Sequence, residues 1–153
     1  MKQEIKPKRE FLSTVYIVKN EKVLLTFNKK INKFIPLGGH IDENELPCES
    51  VIREAKEESG YDIELIDLNK GLKHKNLKQN FDIQLDTIKP DHYHINLSYI
   101  GIIVGGNQLK QSDEGTELKW FSPNEISNSF DMFENTKEKA LKAIEVVNKL
   151  KKD

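Results

Sequence analysis

The chain has 153 residues, of which 37% are hydrophobic and 32% are charged, with 24 Lys and Arg against 25 Asp and Glu. This length predicts one domain over residues 1–153, and a formal net charge of −1 argues against a nucleic-acid-binding protein. No apolar run approaches the ~18 residues that a membrane span requires, and the N-terminus lacks the apolar stretch of a secretory signal. Because Cys48 is the single cysteine, no disulfide can form within the chain. We therefore expect a cytoplasmic protein without nucleic-acid or membrane partners.

Segments rich in apolar, β-branched and aromatic residues predict strands along most of the chain. In chain order these segments are 11–18, 23–27, 34–37, 61–68, 80–88, 93–104 and 117–121. The short piece at 34–37 ends at Gly38 and Gly39, where the backbone can adopt positive φ or approach a ligand closely.

Capping residues and helical spacing predict three helices. The first covers 48–59, because Pro47 suits its first position and Gly60 suits a left-handed C-terminal cap. A capping box at 122–125 predicts a short second helix, and apolar residues at helical spacing predict an amphipathic helix over 136–151. Strands with one helix among them and helices at the C-terminus indicate an α/β (α+β) domain.

The first predicted helix carries an unusual acidic face. At about 100° per residue, Val51 and Ala55 share an apolar face, which we expect to be buried. Glu54, Glu57 and Glu58 form a contiguous acidic face. Like charges four residues apart and acids in the last turn each destabilise a helix by a few tenths to ~1 kcal/mol. Three converging carboxylates instead suit a hard cation such as Mg²⁺ or Mn²⁺. The alternative is a solvated face, although no Lys follows these acids at a spacing of four residues.

Residues 39–61 resemble the Nudix box, G-x5-E-x7-R-E-U-x-E-E-x-G-U, in which U is a bulky apolar residue. The positions in register are Gly39, Glu45, Arg53, Glu54, Glu57, Glu58, Gly60 and Tyr61. The chain thus resembles the Nudix hydrolase family, and in particular its MutT-like nucleotide pyrophosphohydrolases. The resemblance implies an α/β/α sandwich with a mixed β-sheet, the loop and helix of the box, and a C-terminal amphipathic helix.

The sequence departs from the family pattern at two positions. Ala55 replaces a larger aliphatic residue, and Leu46 stands where the family often has a Ser or Thr N-cap. The lost cap costs about 1 kcal/mol, although Glu49 can reach back to the first turn. Glu49 also lies four residues before Arg53, and this spacing predicts an ion pair.

The resemblance implies hydrolysis of phosphoanhydride bonds in nucleoside di- or triphosphates, or in compounds linked to a nucleoside diphosphate. Water activated by Mg²⁺ or Mn²⁺ would attack phosphorus. The implied metal ligands are Glu54, Glu57, Glu58 and the carbonyl of Gly39. Glu57 or a more distant Glu would act as general base, with Arg53 orienting Glu57 and Glu45 bracing the loop. Gly38 and Gly60 are the remaining structural residues of the motif.

Nudix enzymes often recruit a further Glu from the loop before the penultimate strand. In this chain the acidic loop precedes the predicted strand at 117–121. Glu114 is the preferred additional ligand or base, and Glu117 is the second choice. For both residues the alternative is a solvated loop acid.

A second group of residues concerns the choice of substrate. Alternation places His92, His94 and Asn96 on one strand face, which either lines a substrate cleft or is an ordinary polar face. In the first interpretation His94 contacts phosphate or metal-bound water. A zinc site is disfavoured, because two His at i and i+2 lack the remaining ligands. Phe27 either stacks on a base or packs in the core, and Asn135 either reads a base or caps the last helix.

Other functions remain open at this point. A non-catalytic Nudix domain would bind a nucleotide as a sensor or partner module, and an acidic helix without metal would contact another protein. The lysine-rich stretch at 70–78 either steers anionic substrates or is simply solvated. Members of the resembled family are often dimers, so a homodimer is possible. The expected partner is a small-molecule nucleotide or nucleoside diphosphate derivative.

Overall fold

A mixed β-sheet organises the computed structural model, which describes residue 4 and residues 6–69, 77–109 and 117–152. Within these residues the sheet has eight strands. They are β1 (Lys8–Lys19), β2 (Lys22–Asn28), β3 (Lys33–Ile35), β4 (Leu37–His40), β5 (Tyr61–Leu65), β6 (Asp82–Lys89), β7 (His92–Gly106) and β8 (Leu118–Phe121). The helices are α1 (Pro47–Ser59), α2 (Pro123–Asn128) and α3 (Glu134–Lys152). No helix in the described part of the chain is long and apolar enough to cross a membrane.

The parallel pair formed by β1 and β7 is the centre of the sheet. It extends from Lys8 opposite His92 to Ile17 opposite Gly101. The other strand pairs are antiparallel: β2 and β4 lie beside β1, β5 and β6 beside β7, and β3 and β8 beside β2. Both central strands are longer than predicted, because their N-terminal ends pair with each other and the C-terminal end of β7 pairs with β5. The predicted mixed sheet is therefore confirmed.

The extended piece predicted at 34–37 is two strands, which meet at Pro36. Proline has no N–H group and cannot donate a hydrogen bond to a ladder, so the strand is interrupted there. β3 pairs with β2, whereas β4 pairs with β1 and places Gly39 opposite Ser13. This change of partner brings the two glycines of β4 alongside the central pair.

β5 ends at Leu65, three residues before the predicted end of the strand at residue 68. The carboxylate of Asp67 accepts a hydrogen bond from the backbone N–H of Asn69 at 3.0 Å. This local turn competes with continued pairing along β7 and ends the strand.

Alternate side chains of β1 contribute to cores on opposite faces of the sheet. Val15 and Ile17 belong to the cluster beneath α1, and Tyr16 and Val18 belong to the cluster beneath α3. The sheet thus lies between helices, which confirms the predicted sandwich. The C-terminal amphipathic helix is also confirmed, and it begins slightly earlier than expected, at Glu134.

Helix α1 lies on the sheet through the apolar face predicted from its periodicity. Val51 and Ala55 are fully buried there. Gly60 ends the helix with φ 83° and donates its N–H to the carbonyl of Lys56 at 2.9 Å, so the predicted left-handed cap is present. These two features set the rotation and the end of the helix, and thereby the direction of its acidic face.

The N-terminus of α1 has only half of a capping box. Leu46 occupies the N-cap in an extended conformation and has no side-chain acceptor. The carboxylate of Glu49 accepts the N–H of Leu46 at 3.0 Å, as its position predicted. Backbone N–H groups of the first turn therefore lack the usual side-chain partner.

We predict that Leu46→Ser raises the free energy of unfolding by about 1 kcal/mol, because its hydroxyl can accept an N–H of the first turn. Urea unfolding followed by circular dichroism measures this change. Leu46→Ala is the matched control, since it removes the same apolar side chain without adding an acceptor. Equal stability of the two variants would contradict the capping argument.

Candidate active site

Arg53 connects the loop before α1 to the acidic face of the helix. Its Nε and Nη2 donate to the two carboxylate oxygens of Glu45 at 2.6 and 2.8 Å, a bidentate pair. Its Nη1 donates to Glu54 at 3.2 Å and to Glu57 at 3.2 Å. Hydrogen bonds from Arg53 lower the pKa of Glu45 to about 2. One guanidinium thus holds three carboxylates in place.

The ion pair predicted between Glu49 and Arg53 is wrong. The guanidinium turns toward the loop and binds Glu45, which offers two aligned oxygens. Glu49 uses its carboxylate at the N-terminus of the helix instead. Helical spacing predicted a pair within α1, and a residue from the preceding loop provides the better geometry.

Glu54 and Glu58 lie against the two glycines of β4. The backbone N–H of Gly38 donates to Glu58 Oε1 at 3.2 Å. A Cβ atom on Gly39 would lie 2.9 Å from Glu54 Oε1, so a side chain there would displace this carboxylate from its present position. Gly38 has φ 146°, and a Cβ there would lie 2.1 Å from the carbonyl oxygen of Ser13. The glycines therefore allow β1, β4 and the acidic face of α1 to approach one another.

The carboxylates of this cluster repel one another. Burial, followed by the adjacent Glu54 carboxylate, raises the pKa of Glu58 to about 8, although the hydrogen bond from Gly38 opposes the shift. Glu57 is 59% exposed and lies at the open side of the cluster, next to Arg53. Clustered carboxylate oxygens beside a backbone that lacks a Cβ form the donor set that suits Mg²⁺ or Mn²⁺. The residues present therefore fit a hard divalent cation.

His92 and His94 lie around a residue that sequence reasoning missed, Glu10 of β1. His92 Nε2 lies 2.5 Å from Glu10 Oε1, and His94 Nε2 lies 3.7 Å from the same atom. His40 at the end of β4 was also missed, and its Nε2 lies 3.2 Å from Glu10 Oε2. The hydrogen bond from His92 lowers the pKa of Glu10, and burial lowers the pKa of His94. Glu10 and the three histidines come together through strand register, so the sequence alone does not indicate that they are neighbours.

Asn96 lies on the same face of β7 as the two histidines. Its side-chain oxygen accepts a hydrogen bond from the hydroxyl of Thr14 at 3.0 Å. Ser98, two residues further along, is buried within 3.3 Å of Lys139 Nζ. The polar face predicted for this strand thus continues toward α3.

Asn135 lines a groove of about 670 Å³ between α3 and the region of β6. Asp82 and Lys139 line it as well, and Lys139 Nζ lies 2.8 Å from Asp82 Oδ2. The side chain of Asn135 accepts the N–H of Thr136 at 2.8 Å, so it contributes to the first turn of α3. Its position is compatible with both interpretations raised from the sequence.

Phe27 packs against the core, which was the alternative to base stacking. Its ring centroid lies 5.0 Å from that of Phe34, and it adjoins the cluster beneath α3. Glu117 directly precedes β8, and its carbonyl accepts the N–H of Phe27 at 2.9 Å. Glu114 and most of the lysine-rich stretch, residues 70–76, lie outside the described residues.

Comparison with known proteins gives a family for this chain. The NUDIX domain family model matches residues 10–144. A NUDIX-family hydrolase from Clostridium perfringens is 35% identical, with a TM-score of 0.81 over 92% of this chain and 99% of that chain. No match was found among curated proteins.

Two further solved structures share the fold at lower identity. A MutT NUDIX hydrolase from Burkholderia pseudomallei is 15% identical, with a TM-score of 0.63 over 90% of this chain and 97% of that chain. An ADP-ribose pyrophosphatase from Streptococcus suis is 20% identical, with a TM-score of 0.60 over 90% of this chain and 91% of that chain. Because the family model covers most of the sequence and one solved relative is similar along its whole length, this chain belongs to the Nudix family and is an enzyme of the Nudix hydrolase class.

Proposed function

We propose that this enzyme hydrolyses phosphoanhydride bonds in nucleoside di- or triphosphates, or in compounds linked to a nucleoside diphosphate, with Mg²⁺ or Mn²⁺. The observation that supports this most is the convergence of Glu54 and Glu58 on the glycines of β4. The proposed metal ligands are Glu54, Glu57, Glu58 and the carbonyl of Gly39. The proposal includes a single domain over residues 1–153, a cytoplasmic location and no nucleic-acid or membrane partner. A homodimer stays a prediction.

The substrate class is proposed from the family and from the chemistry of the cluster. Nudix hydrolases generally use divalent metals and act on nucleotide-type small molecules. A diphosphate carries closely spaced negative charges, which would be repelled by the carboxylates of α1 alone. A bound divalent cation would neutralise this charge and lower the pKa of a water molecule. Acids near the phosphates thus become compatible with an anionic substrate.

The side chains of α1 have separate proposed roles in the hydrolysis. Glu57 is exposed at the mouth of the cluster, and we assign it as the acceptor of the proton from the attacking water. The water oxygen forms a bond to phosphorus, the bridging P–O bond breaks, and the proton passes to Glu57. Arg53 positions Glu57, and Glu45 holds Arg53. Glu114 and Glu117 are the alternative bases.

Substrate recognition is proposed for residues on and beside β7. His92, His94 and Asn96 form its polar face, and Asn135 lines the groove beside α3. Phe27 is the least supported of the proposed substrate contacts, because its ring packs on Phe34.

We predict that Glu57→Gln lowers turnover by roughly 10²- to 10⁴-fold, since the amide cannot accept the proton. A panel of nucleotides and nucleoside diphosphate conjugates with Mg²⁺ or Mn²⁺, assayed by product release, measures this. Glu64→Gln is the control, because it alters an exposed acid on β5. Hydrolysis by Glu57→Gln at the parent rate would refute the assignment of the base. Nucleotide binding without turnover of any compound would favour a sensor or partner module.

We predict that the effect of Glu58→Gln on stability changes sign when metal is added. The pKa of Glu58 rises on folding from an ordinary value of 4.5 to about 8, so stability falls as pH rises through this range. Without metal at about pH 9, Glu58→Gln should be more stable than the parent by about 1–5 kcal/mol, because a buried charge that its neighbours repel is removed.

Saturating Mg²⁺ or Mn²⁺ should stabilise the parent and leave Glu58→Gln nearly unchanged. Thermal unfolding with and without metal measures both effects. Glu64→Gln is again the matched control and should respond to metal as the parent does. An equal metal-induced rise in Tm for the parent and Glu58→Gln would exclude Glu58 from the metal site.

We predict that Arg53→Lys lowers kcat roughly 10- to 100-fold with little change in KM, because an ammonium group cannot hold Glu45 and Glu57 together. Steady-state kinetics separate the two constants. Arg9→Lys, which alters the only other arginine of the chain, is the matched control. A rise in KM alone would show that Arg53 binds substrate and does not position Glu57.

A further inference from the structure

Three of the four histidines of the chain surround one carboxylate. His40, His92 and His94 each have a ring nitrogen within 4.0 Å of a carboxylate oxygen of Glu10. These residues come from three strands that are distant in sequence: β1, β4 and β7. None of them belongs to the carboxylate cluster on α1.

Strand pairing explains why these side chains meet. The parallel register sets Glu10 opposite His94, and the antiparallel register sets His40 opposite Leu12, two residues along β1 from Glu10. Residues two apart in a strand lie on the same face of the sheet. The group is therefore a consequence of the backbone topology and does not depend on a mobile loop.

The distances match a tetrahedral metal site. A Zn²⁺ ion bound at 2.0–2.1 Å has ligand atoms roughly 3.3 Å apart. Glu10 Oε2 and His40 Nε2 are separated by 3.2 Å, and Glu10 Oε1 and His94 Nε2 by 3.7 Å. The donor atoms of Glu10, His40 and His94 all lie within 4.8 Å of one another. Side-chain adjustment that shortens the longer of these separations would let all three bind one ion.

His92 has a different role in this arrangement. Its Nε2 lies 2.5 Å from Glu10 Oε1, which is a hydrogen-bond distance and too short for two ligands of one tetrahedral ion. A hydrogen bond of this kind orients the ligating carboxylate. His92 and His94 are 17% and 18% exposed, whereas His40 is 55% exposed, so an ion can enter from the side of His40.

A purely ionic role for the group is the competing interpretation. Glu10 carries one negative charge and cannot balance three protonated rings, which would repel one another at centroid distances of 5.2 and 5.1 Å. Neutral imidazoles are ligands for Zn²⁺ and similar ions, whereas all-oxygen sites suit Mg²⁺ and Mn²⁺. This set of imidazole nitrogens and a carboxylate oxygen therefore suits a transition metal best.

The geometry points to a binding site for Zn²⁺ or a similar divalent transition metal formed by Glu10, His40 and His94, with His92 orienting Glu10. Three protein ligands leave a fourth position for water. The ion would connect β1, β4 and β7 at one end of the sheet. Its ligands differ from those proposed for the α1 cluster, and His92 and His94 are shared with the proposed substrate recognition.

Titration with Co²⁺ in excess Mg²⁺ tests the site. Mg²⁺ occupies all-oxygen sites, and Co²⁺ in a tetrahedral N/O site absorbs strongly in the visible range. We expect one Co²⁺ to bind per chain, to be displaced by Zn²⁺, and to raise Tm. His92→Ala should weaken binding by about 10- to 100-fold, since His92 is an orienting partner, and His40→Ala and His94→Ala should each weaken it by more than that, since they remove a ligand.

Glu57→Gln is the matched control and should bind Co²⁺ with the affinity of the parent, because it alters only the α1 cluster. The proposal is overturned if the parent shows no visible band in excess Mg²⁺, if His40→Ala binds as tightly as the parent, or if Glu57→Gln abolishes binding. Circular dichroism checks folding of each variant. If His94→Ala is unfolded, His40→Ala decides, because His40 is exposed and its loss leaves the core intact.

Discussion

The close approach of β1 and β4 at Gly38 is the constraint on which the rest of the site depends. A side chain at this position would overlap the backbone of Ser13, and one at Gly39 would overlap the carboxylate of Glu54. A side chain at Gly38 would push β4 away from β1, and one at Gly39 would displace the Glu54 carboxylate. Glu58 would then lose its hydrogen bond from the Gly38 N–H, and Glu54 would lose its place beside Gly39. Backbone geometry thus determines the electrostatics of this region.

Electrostatic conflict is the second consequence of this approach. Packing of Val51 and Ala55 on the sheet forces Glu54 and Glu58 toward β4, so hydrophobic burial directs two like charges to one place. Arg53 relieves the repulsion only in part, because Glu45 engages two of its nitrogens. Burial, followed by the adjacent Glu54 carboxylate, keeps the pKa of Glu58 raised. This electrostatic conflict supports the proposal that the cluster binds a divalent cation.

Most features that depend on local spacing were predictable from the sequence. Features that depend on strand pairing or on a contact with the loop before α1, such as the Glu45 partner of Arg53, were not. The acidic face of α1 and its end at Gly60 follow from helical periodicity and capping, and both are present. The interruption at Pro36 involves a change of strand partner, and the group around Glu10 requires the parallel register with β7. Zinc was disfavoured from the sequence because His92 and His94 supply too few ligands. Glu10 of β1 and His40 of β4 are the further potential ligands, and strand pairing places them beside the two histidines.

The distinction between local spacing and strand register also explains why the net charge of the chain does not indicate which ions its side chains could bind. The formal charge is −1, yet residues 42–58 hold seven acids and two bases. The spacing of residues along α1 brings oxygen donors together, whereas the register of the paired strands brings imidazole donors together. Gly39 and His40 are consecutive residues of β4, so one strand borders both donor sets. Because hard and borderline ions prefer different donors, the two neighbouring groups would select different metals if both proposals hold.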